Sequence, residues 1–314
     1  MSTKKEVEQH RREIEGVSMV GKSAVIIGGT QGIGLGVALS LARLGASVTI
    51  VGRNAELGQQ AVTRLTALSP SNAKAKFAFA KVDATSMKEL KEFAAQYAEA
   101  NKDGLDYFVH TAGVMAFPGG KVVETAEGVE YNFALMYLSR FAATNLLLPL
   151  LKLKEGSRVL YTFLPAFKGQ KMDYDDIESK KSGRLSMSSC LPLTVDLLTE
   201  ALAQRAPQVS FIHMQPGWVI TDLLNNSKIK GVTSYIINGL TWLLLPPGKT
   251  IEEFGDTAIV VLTRSEFSAA NSPLLLSAKL EKLKMIKWAA EHPEAKDKLW
   301  EYSAKISGIG GTGL

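Results

Sequence analysis

Short apolar runs alternate with stretches of helical spacing from residue 24 to residue 213. Ala24 to Ile27 is rich in β-branched side chains and runs into glycines, while Gly32 to Leu44 places apolar residues three and four apart and stops at Gly45. This pattern predicts a strand, a tight turn and a helix. It continues with Ser47 to Val51 as strand, Ala55 to Leu68 as helix, Lys76 to Val82 as strand, Ser86 to Glu99 as helix and Leu105 to His110 as strand. A long helix is predicted over Val129 to Leu151, then a strand over Ser157 to Phe163, a helix within Ser189 to Arg205 and a strand over Gln208 to His213. Strands alternating with helices imply right-handed crossovers, so the expected class is α/β: a doubly wound parallel sheet of six or more strands with helices on both faces. The tail from Pro216 reads as helical, with a loose glycine-rich end from Ser307 to Leu314.

Composition narrows the function classes. The chain has 314 residues, 46% of them hydrophobic, enough to bury one large core. Its net charge of +5 is spread thinly and leaves no nucleic-acid footprint. Cys190 is the only cysteine, which excludes an internal disulfide or a multi-cysteine zinc site and fits a reducing, cytoplasmic setting; no metal is expected. Residues 1–20 read as a charged, solvated helical extension without the apolar stretch of a secretory signal. The uncharged run Gly231 to Gly248 has an apolar centre, Tyr235 to Leu245, too short to span a bilayer. Trp242 and its neighbouring leucines suit a peripheral membrane contact or a homo-oligomer contact as well.

Gly28, Gly32 and Gly34 follow the first strand and open the first helix. Without β-carbons there, backbone can approach a pyrophosphate and the helix N-terminus offers its N–H donors, as in Rossmann-type dinucleotide folds. The flanking Thr30, Gln31 and Ile33 belong to the same cradle. Arg53 follows the second strand, where an acid selects the ribose 2′-hydroxyl of NAD and an arginine accommodates the 2′-phosphate of NADP. No acid stands at Val51, Gly52 or Arg53, so NADP(H) is expected in preference to NAD(H).

The Gly-x-x-x-Gly-x-Gly spacing resembles the short-chain dehydrogenase/reductase family, and the resemblance runs from about Gly21 to Leu224. Asp83 matches the family's adenine-contacting acid. His110-Thr111-Ala112-Gly113 keeps the Ala-Gly half of an Asn-Asn-Ala-Gly turn. Asn132 matches the helix asparagine that holds a proton-relay water, and Leu148-Pro149-Leu150-Leu151 the end of that helix. Pro216-Gly217 through Val219 and Thr221 match the segment that touches the nicotinamide amide. Blander readings stand beside these: Asp83 as a helix cap, Asn132 as a local hydrogen bond, Pro216-Gly217 as a plain turn. The resemblance implies an SDR domain over 21–264, a substrate-side lid at 231–248 and a C-terminal helical extension over 265–314.

The same resemblance implies a serine, a tyrosine and a lysine for proton transfer, and here it fails. The three positions fall on Leu164, Ser188 and Pro192, and no Tyr-x-x-x-Lys occurs between Arg158 and Pro216. If Ser189 caps the helix, Pro192 is its third residue, where a missing N–H costs nothing. Without a lysine ammonium nothing lowers a hydroxyl pKa toward neutrality. Tyr137, Tyr161, Tyr174, Lys168 and Cys190 are the candidate substitutes. Tyr137-Leu138-Ser139-Arg140, Asp173-Tyr174-Asp175-Asp176-Ile177 and Asp196 resemble fungal members of the family, some of which also lack the tyrosine and lysine; Asp196 reads equally as a solvated helix position. Three functions stay open: an NADP-dependent oxidoreductase acting on a small, apolar molecule with an atypical proton donor, a non-redox isomerase, dehydratase or cyclase, and a catalytically silent nucleotide-binding or scaffold protein.

Overall fold

The computed structural model describes residues 4–70, 73–114, 121–182, 184–221 and 248–310. Seven parallel strands lie in the order β3-β2-β1-β4-β5-β6-β7. They are β1 (Ser23–Ile27), β2 (Ser47–Gly52), β3 (Phe77–Lys81), β4 (Tyr107–His110), β5 (Arg158–Thr162), β6 (Ser210–Met214) and β7 (Leu274–Leu276). The chain starts at the centre of the sheet, winds outward to β3, then returns to β4 and winds the other way. This reversal opens a crevice at the carboxyl ends of β1 and β4, where such sheets bind ligands.

Strand alternation feeds two cores. Ala24 and Ile26 point to the face covered by α2 (Gly32–Arg43), α3 (Ala55–Leu68) and α7 (Ile251–Thr263). Val25 and Ile27 point to the face covered by α4 (Met87–Ala100), α5 (Tyr131–Lys152), α6 (Arg184–Arg205) and α9 (Ala295–Ser307), the last following the short α8 (Lys287–Glu291). Both faces of the central strands are therefore buried and those strands are mostly apolar, while the edge strand β3 stays partly exposed. Among the described residues α5 alone is long and apolar enough to cross a membrane, but 83% of that apolar stretch is buried inside the protein. Helices α2 and α7 cross with backbone against backbone: a β-carbon on Gly36 would overlap the Ile251 carbonyl, and one on Gly255 the Gly36 carbonyl.

The ends of the molecule differ from their sequence reading. The N-terminal helix α1 (Lys4–Glu13) forms, but it is docked rather than solvated. Val7, His10 and Ile14 are buried, His10 Nδ1 lies 3.1 Å from Thr257 Oγ1 on α7, and Glu13 pairs with Arg264 at 2.5 Å. The tail is not wholly helical, because Leu274–Leu276 adds β7 beside β6. Its glycine-rich end is tied down as far as the described residues go, with Ser307 and Ile309 buried. The expected lid, 231–248, lies outside the described residues apart from Gly248.

Candidate active site

The cradle is built from three glycines with different tasks. Gly28 turns the chain off β1 at φ +84°, and a β-carbon there would stand 2.7 Å from the Ala112 nitrogen, so β1 and the turn after β4 close on each other only without one. Gly34 packs α2 onto the Gly28 carbonyl and 2.5 Å from Thr111 Oγ1 in the same sense. Gly32, at φ +56°, has only the Thr221 side chain within 4 Å of its β-carbon position among the described residues, the methyl at 3.5 Å.

Helix α2 begins there without a capping side chain, since Gln31 makes no cap hydrogen bond and the first turn carries no acid. By contrast Asn54 caps α3, Ser86 caps α4, and Thr250 with Glu253 forms a capping box on α7. The first-turn N–H groups of α2, which Gln31 leaves uncapped, lie at the mouth of the crevice and are the kind of donor set that a pyrophosphate takes. The chain's residues therefore fit a dinucleotide: Gly28, Thr30, Gln31, Gly32, Ile33 and Gly34 would hold its phosphates.

The other expected cofactor residues sit on the same edge of the sheet. Arg53 stands at the end of β2, exposed, and donates from Nη1 to the Tyr131 hydroxyl at 3.0 Å. Ala112 and Gly113 follow β4. Pro216, Gly217, Val219 and Thr221 follow β6, with Val219 bridged to Lys249. Asp83 follows β3, but its carboxylate accepts from the Thr85 nitrogen at 2.9 Å and the Thr85 hydroxyl at 2.8 Å, so in this structure it braces the turn into α4.

The proton-transfer positions are apolar where they are described. Leu164, two residues past β5, is 55% exposed. Helix α6 starts at Arg184, earlier than the sequence suggested, so Ser189 is not its cap and Pro192 lies inside it. A proline there cannot donate to the carbonyl four residues back, which leaves the Ser188 carbonyl without its helical partner; the Ser188 side chain lies outside the described residues. Asn132 is buried and donates to Glu130 Oε1 at 2.8 Å, while Glu130 caps the helix by accepting from the Phe133 nitrogen. One turn further on, Ala134–Leu138 is a π-helical turn, a common device at functional sites. It brings Met136 to the site, with its sulfur 3.6 Å from where a Gly113 β-carbon would stand.

The structure also places the candidate substitutes. The Tyr137 hydroxyl is sealed against Ser303 Oγ at 2.8 Å and the Tyr161 hydroxyl against Thr144, both pushed up from the ordinary phenol range by burial. Tyr174 reaches Glu294 at 3.2 Å under the Lys298 ammonium, Cys190 donates to the Lys171 carbonyl at 3.3 Å, and Lys168 is exposed.

Beneath the crevice lies a group that sequence reasoning missed. His110, Tyr161 and His213 are in register on β4, β5 and β6 and point into one core, all fully buried. His110 Nε2 lies 2.9 Å from Ser139 Oγ and His213 Nδ1 lies 2.6 Å from Asp196 Oδ1. Asp196 is thus buried, not solvated, and its other oxygen accepts from the Ala166 nitrogen at 3.0 Å, fixing the loop that carries Leu164. Arg140 is buried with no carboxylate paired to it among the described residues. It donates to the carbonyls of Met136 and Thr162 and stands 5.5 Å from the Phe163 ring centre. Burial lowers its pKa to about 10, and burial and then Arg140 hold His110 well below the ordinary imidazole value. The only sequence signal was polar residues inside otherwise apolar strands and helices.

Comparison with known proteins adds the following. The model of the short chain dehydrogenase family matches residues 22–163. Oxidoreductase AN1596 of Emericella nidulans is 31% identical over 251 residues, which is 79% of this chain and 73% of that protein. Human polyprenol dehydrogenase is 29% identical over 296 residues, 91% of this chain and 85% of its own. A short chain dehydrogenase from Burkholderia cenocepacia, solved in complex with NADP, superposes with a TM-score of 0.60 at 20% identity, covering 83% of this chain and 98% of its own. A 7α-hydroxysteroid dehydrogenase of the same fold, also 20% identical and with a TM-score of 0.60, holds NADH; that match covers 86% of this chain and 97% of that one.

Proposed function

Since the chain belongs to the short-chain dehydrogenase family, we propose that it is an NADP(H)-binding oxidoreductase that takes a small apolar substrate and relies on an atypical proton source. The observation that carries this reading is the uncapped N-terminus of α2 above Gly32, beside an arginine that no carboxylate neutralises among the described residues. Arg53 supports NADP over NAD, because charge-assisted bonds to a phosphate dianion are stronger than those to a hydroxyl.

When bound, the nicotinamide supplies or accepts a hydride. The chain's residues orient it: the α2 amides at the phosphates, Arg53 at the ribose, and the Pro216 to Thr221 segment at the ring. Met136, Leu164 and Pro192 offer no proton to a developing alkoxide. A substrate that activates itself, such as an electron-poor alkene or an iminium, suits this lining better than a simple ketone. Leu164, Phe167, Trp218 and Ile220, all large and exposed beyond β5 and β6, favour an apolar partner. The same apolar lining favours a second reading, in which the nucleotide is structural and the protein catalyses no redox step. The deciding experiment is a fluorescence titration of NADPH beside a panel of ketones, activated alkenes and iminium ions followed by nicotinamide absorbance. Binding with turnover of an activated substrate is expected; binding with no turnover of any class supports the second reading.

A further inference from the structure

The arginine at the ribose site has a partner that no motif announces. Arg53 is fixed not by an acid but by a phenol 78 residues further along, with Nη1 3.0 Å from the Tyr131 hydroxyl oxygen. That bond uses one of five guanidinium N–H donors and one oxygen lone pair, so the phenolic O–H and the remaining guanidinium donors stay available to one acceptor.

Tyr131 is itself held firmly. Its nitrogen donates to the Val123 carbonyl at 2.8 Å, the Glu130 nitrogen before it is bound by the buried Glu178 carboxylate at 2.6 Å, and Asn132 after it is bound to Glu130. On the other side Thr30 packs on Gly52, where a β-carbon would stand 2.8 Å from the Thr30 methyl, so the floor beneath Arg53 is also fixed. A cation with no paired carboxylate among the described residues and a phenol on a fixed backbone, meeting over the end of β2, are a donor set suited to a phosphate dianion. A ribose hydroxyl gains little from it.

Building on the NADP(H) reading above, we infer that Tyr131 is a specificity-determining residue. It pre-orients Arg53 and donates its hydroxyl to the same 2′-phosphate, so that NADP(H) selection rests on a pair and not on Arg53 alone. Pre-orientation reduces the side-chain entropy lost on binding, which for a long arginine is a sizeable share of the gain.

The test is calorimetric titration of the full chain and of Tyr131→Phe, Arg53→Ala and the double variant with NADPH, NADH and adenosine 2′-monophosphate. Tyr131→Phe keeps the ring and removes only the hydroxyl. It is expected to weaken NADPH and adenosine 2′-monophosphate about tenfold to a hundredfold, as for one lost hydrogen bond to a charged group, and to leave NADH unchanged. In the Arg53→Ala background the same substitution is expected to cost less than in the wild type, since the orienting role is gone and only the hydroxyl's own bond to the phosphate remains to be lost. Wild-type protein that prefers NADPH, with a preference untouched by Tyr131→Phe, overturns the role of Tyr131 alone. Equal weakening of NADPH and NADH by Tyr131→Phe reduces the residue to scaffolding and overturns the inference. Wild-type protein with no preference for NADPH overturns the cofactor reading and the inference with it.

Discussion

Gly32→Ala should separate folding from binding. The position has φ +56°, where an alanine costs about 1 kcal/mol, and among the described residues the only neighbour its β-carbon would meet is the Thr221 side chain at 3.5 Å and beyond, ordinary contact. In a chain this long that penalty lowers Tm by roughly 2–4 °C. Yet the new methyl projects into the space above the uncapped turn of α2, and dinucleotide affinity should fall roughly tenfold or more, about 1.4 kcal/mol. Gly34→Ala is the contrasting variant. Its β-carbon would overlap the Gly28 carbonyl and come within 2.5 Å of Thr111 Oγ1, so strand and helix must move apart. Overpacking of that kind costs about 1–3 kcal/mol or more, and stability and binding should fall together. The assay is thermal unfolding in parallel with fluorescence titration of NADPH. Gly32→Ala that loses the few degrees and still binds as wild type would refute the placement of the phosphates at α2. Gly34→Ala as stable as wild type would refute the packing argument.

Four further outcomes are expected. Stability should fall on acidification below about pH 6.5, because burial holds His110 and His10 neutral in the folded chain while both take up a proton when unfolded. The slope is at most about 1.4 kcal/mol per pH unit for each; urea titrations from pH 7 to pH 5 should show it, and His110→Gln should flatten it. Asp196→Asn should destabilise by about 1.5–3 kcal/mol, the range for a lost charge-assisted bond in the core, since Asp196 joins His213 to Ala166; chemical denaturation with an unchanged midpoint would contradict that. Arg264→Ala should cost about 1 kcal/mol or somewhat more, because its ion pair with Glu13 is only partly open to solvent, each side chain being 31% exposed, and it ties α1 to the end of α7; the urea midpoint reads it. Leu164→Ser with Ser188→Tyr and Pro192→Lys should restore reduction of simple ketones, measured as NADPH oxidation, because α6 runs unbroken through Ser188 and Pro192.

Local chemistry made much of the fold legible. Helix α3 matches its prediction at both ends because Asn54 caps it and apolar spacing runs to Leu68. The glycines after β1 are visible because Gly28 and Gly34 each answer to a close backbone approach that a β-carbon would block, and Gly32 to a positive φ. β7 was hidden because three leucines in a polar tail carry no periodicity, and only β6 beside them makes them a strand. The start of α6 was misplaced because Pro192 was given its usual place near a helix start, whereas packing carries the helix through it. At the site, residues next to a strand end were legible from position. The pairs Arg53 with Tyr131 and His213 with Asp196 were not, since long-range register decides them. Met136 lies on the π-helical turn beside Gly113, a neighbour that no spacing rule announces.

The backbone pairing of Val219 with Lys249 has a consequence for how this chain can vary. Residues 218–220 and Lys249 are joined by two main-chain hydrogen bonds at 2.9 Å, from the Ile220 nitrogen and from the Lys249 nitrogen. Both flanks also abut α2, Thr221 at Gly32 and Ile251 at Gly36. Whatever lies between 221 and 248 therefore leaves and re-enters through one fixed doorway. Changes of length between 221 and 248 are therefore expected to leave these two anchors on α2 in place, which thermal unfolding of such variants would read.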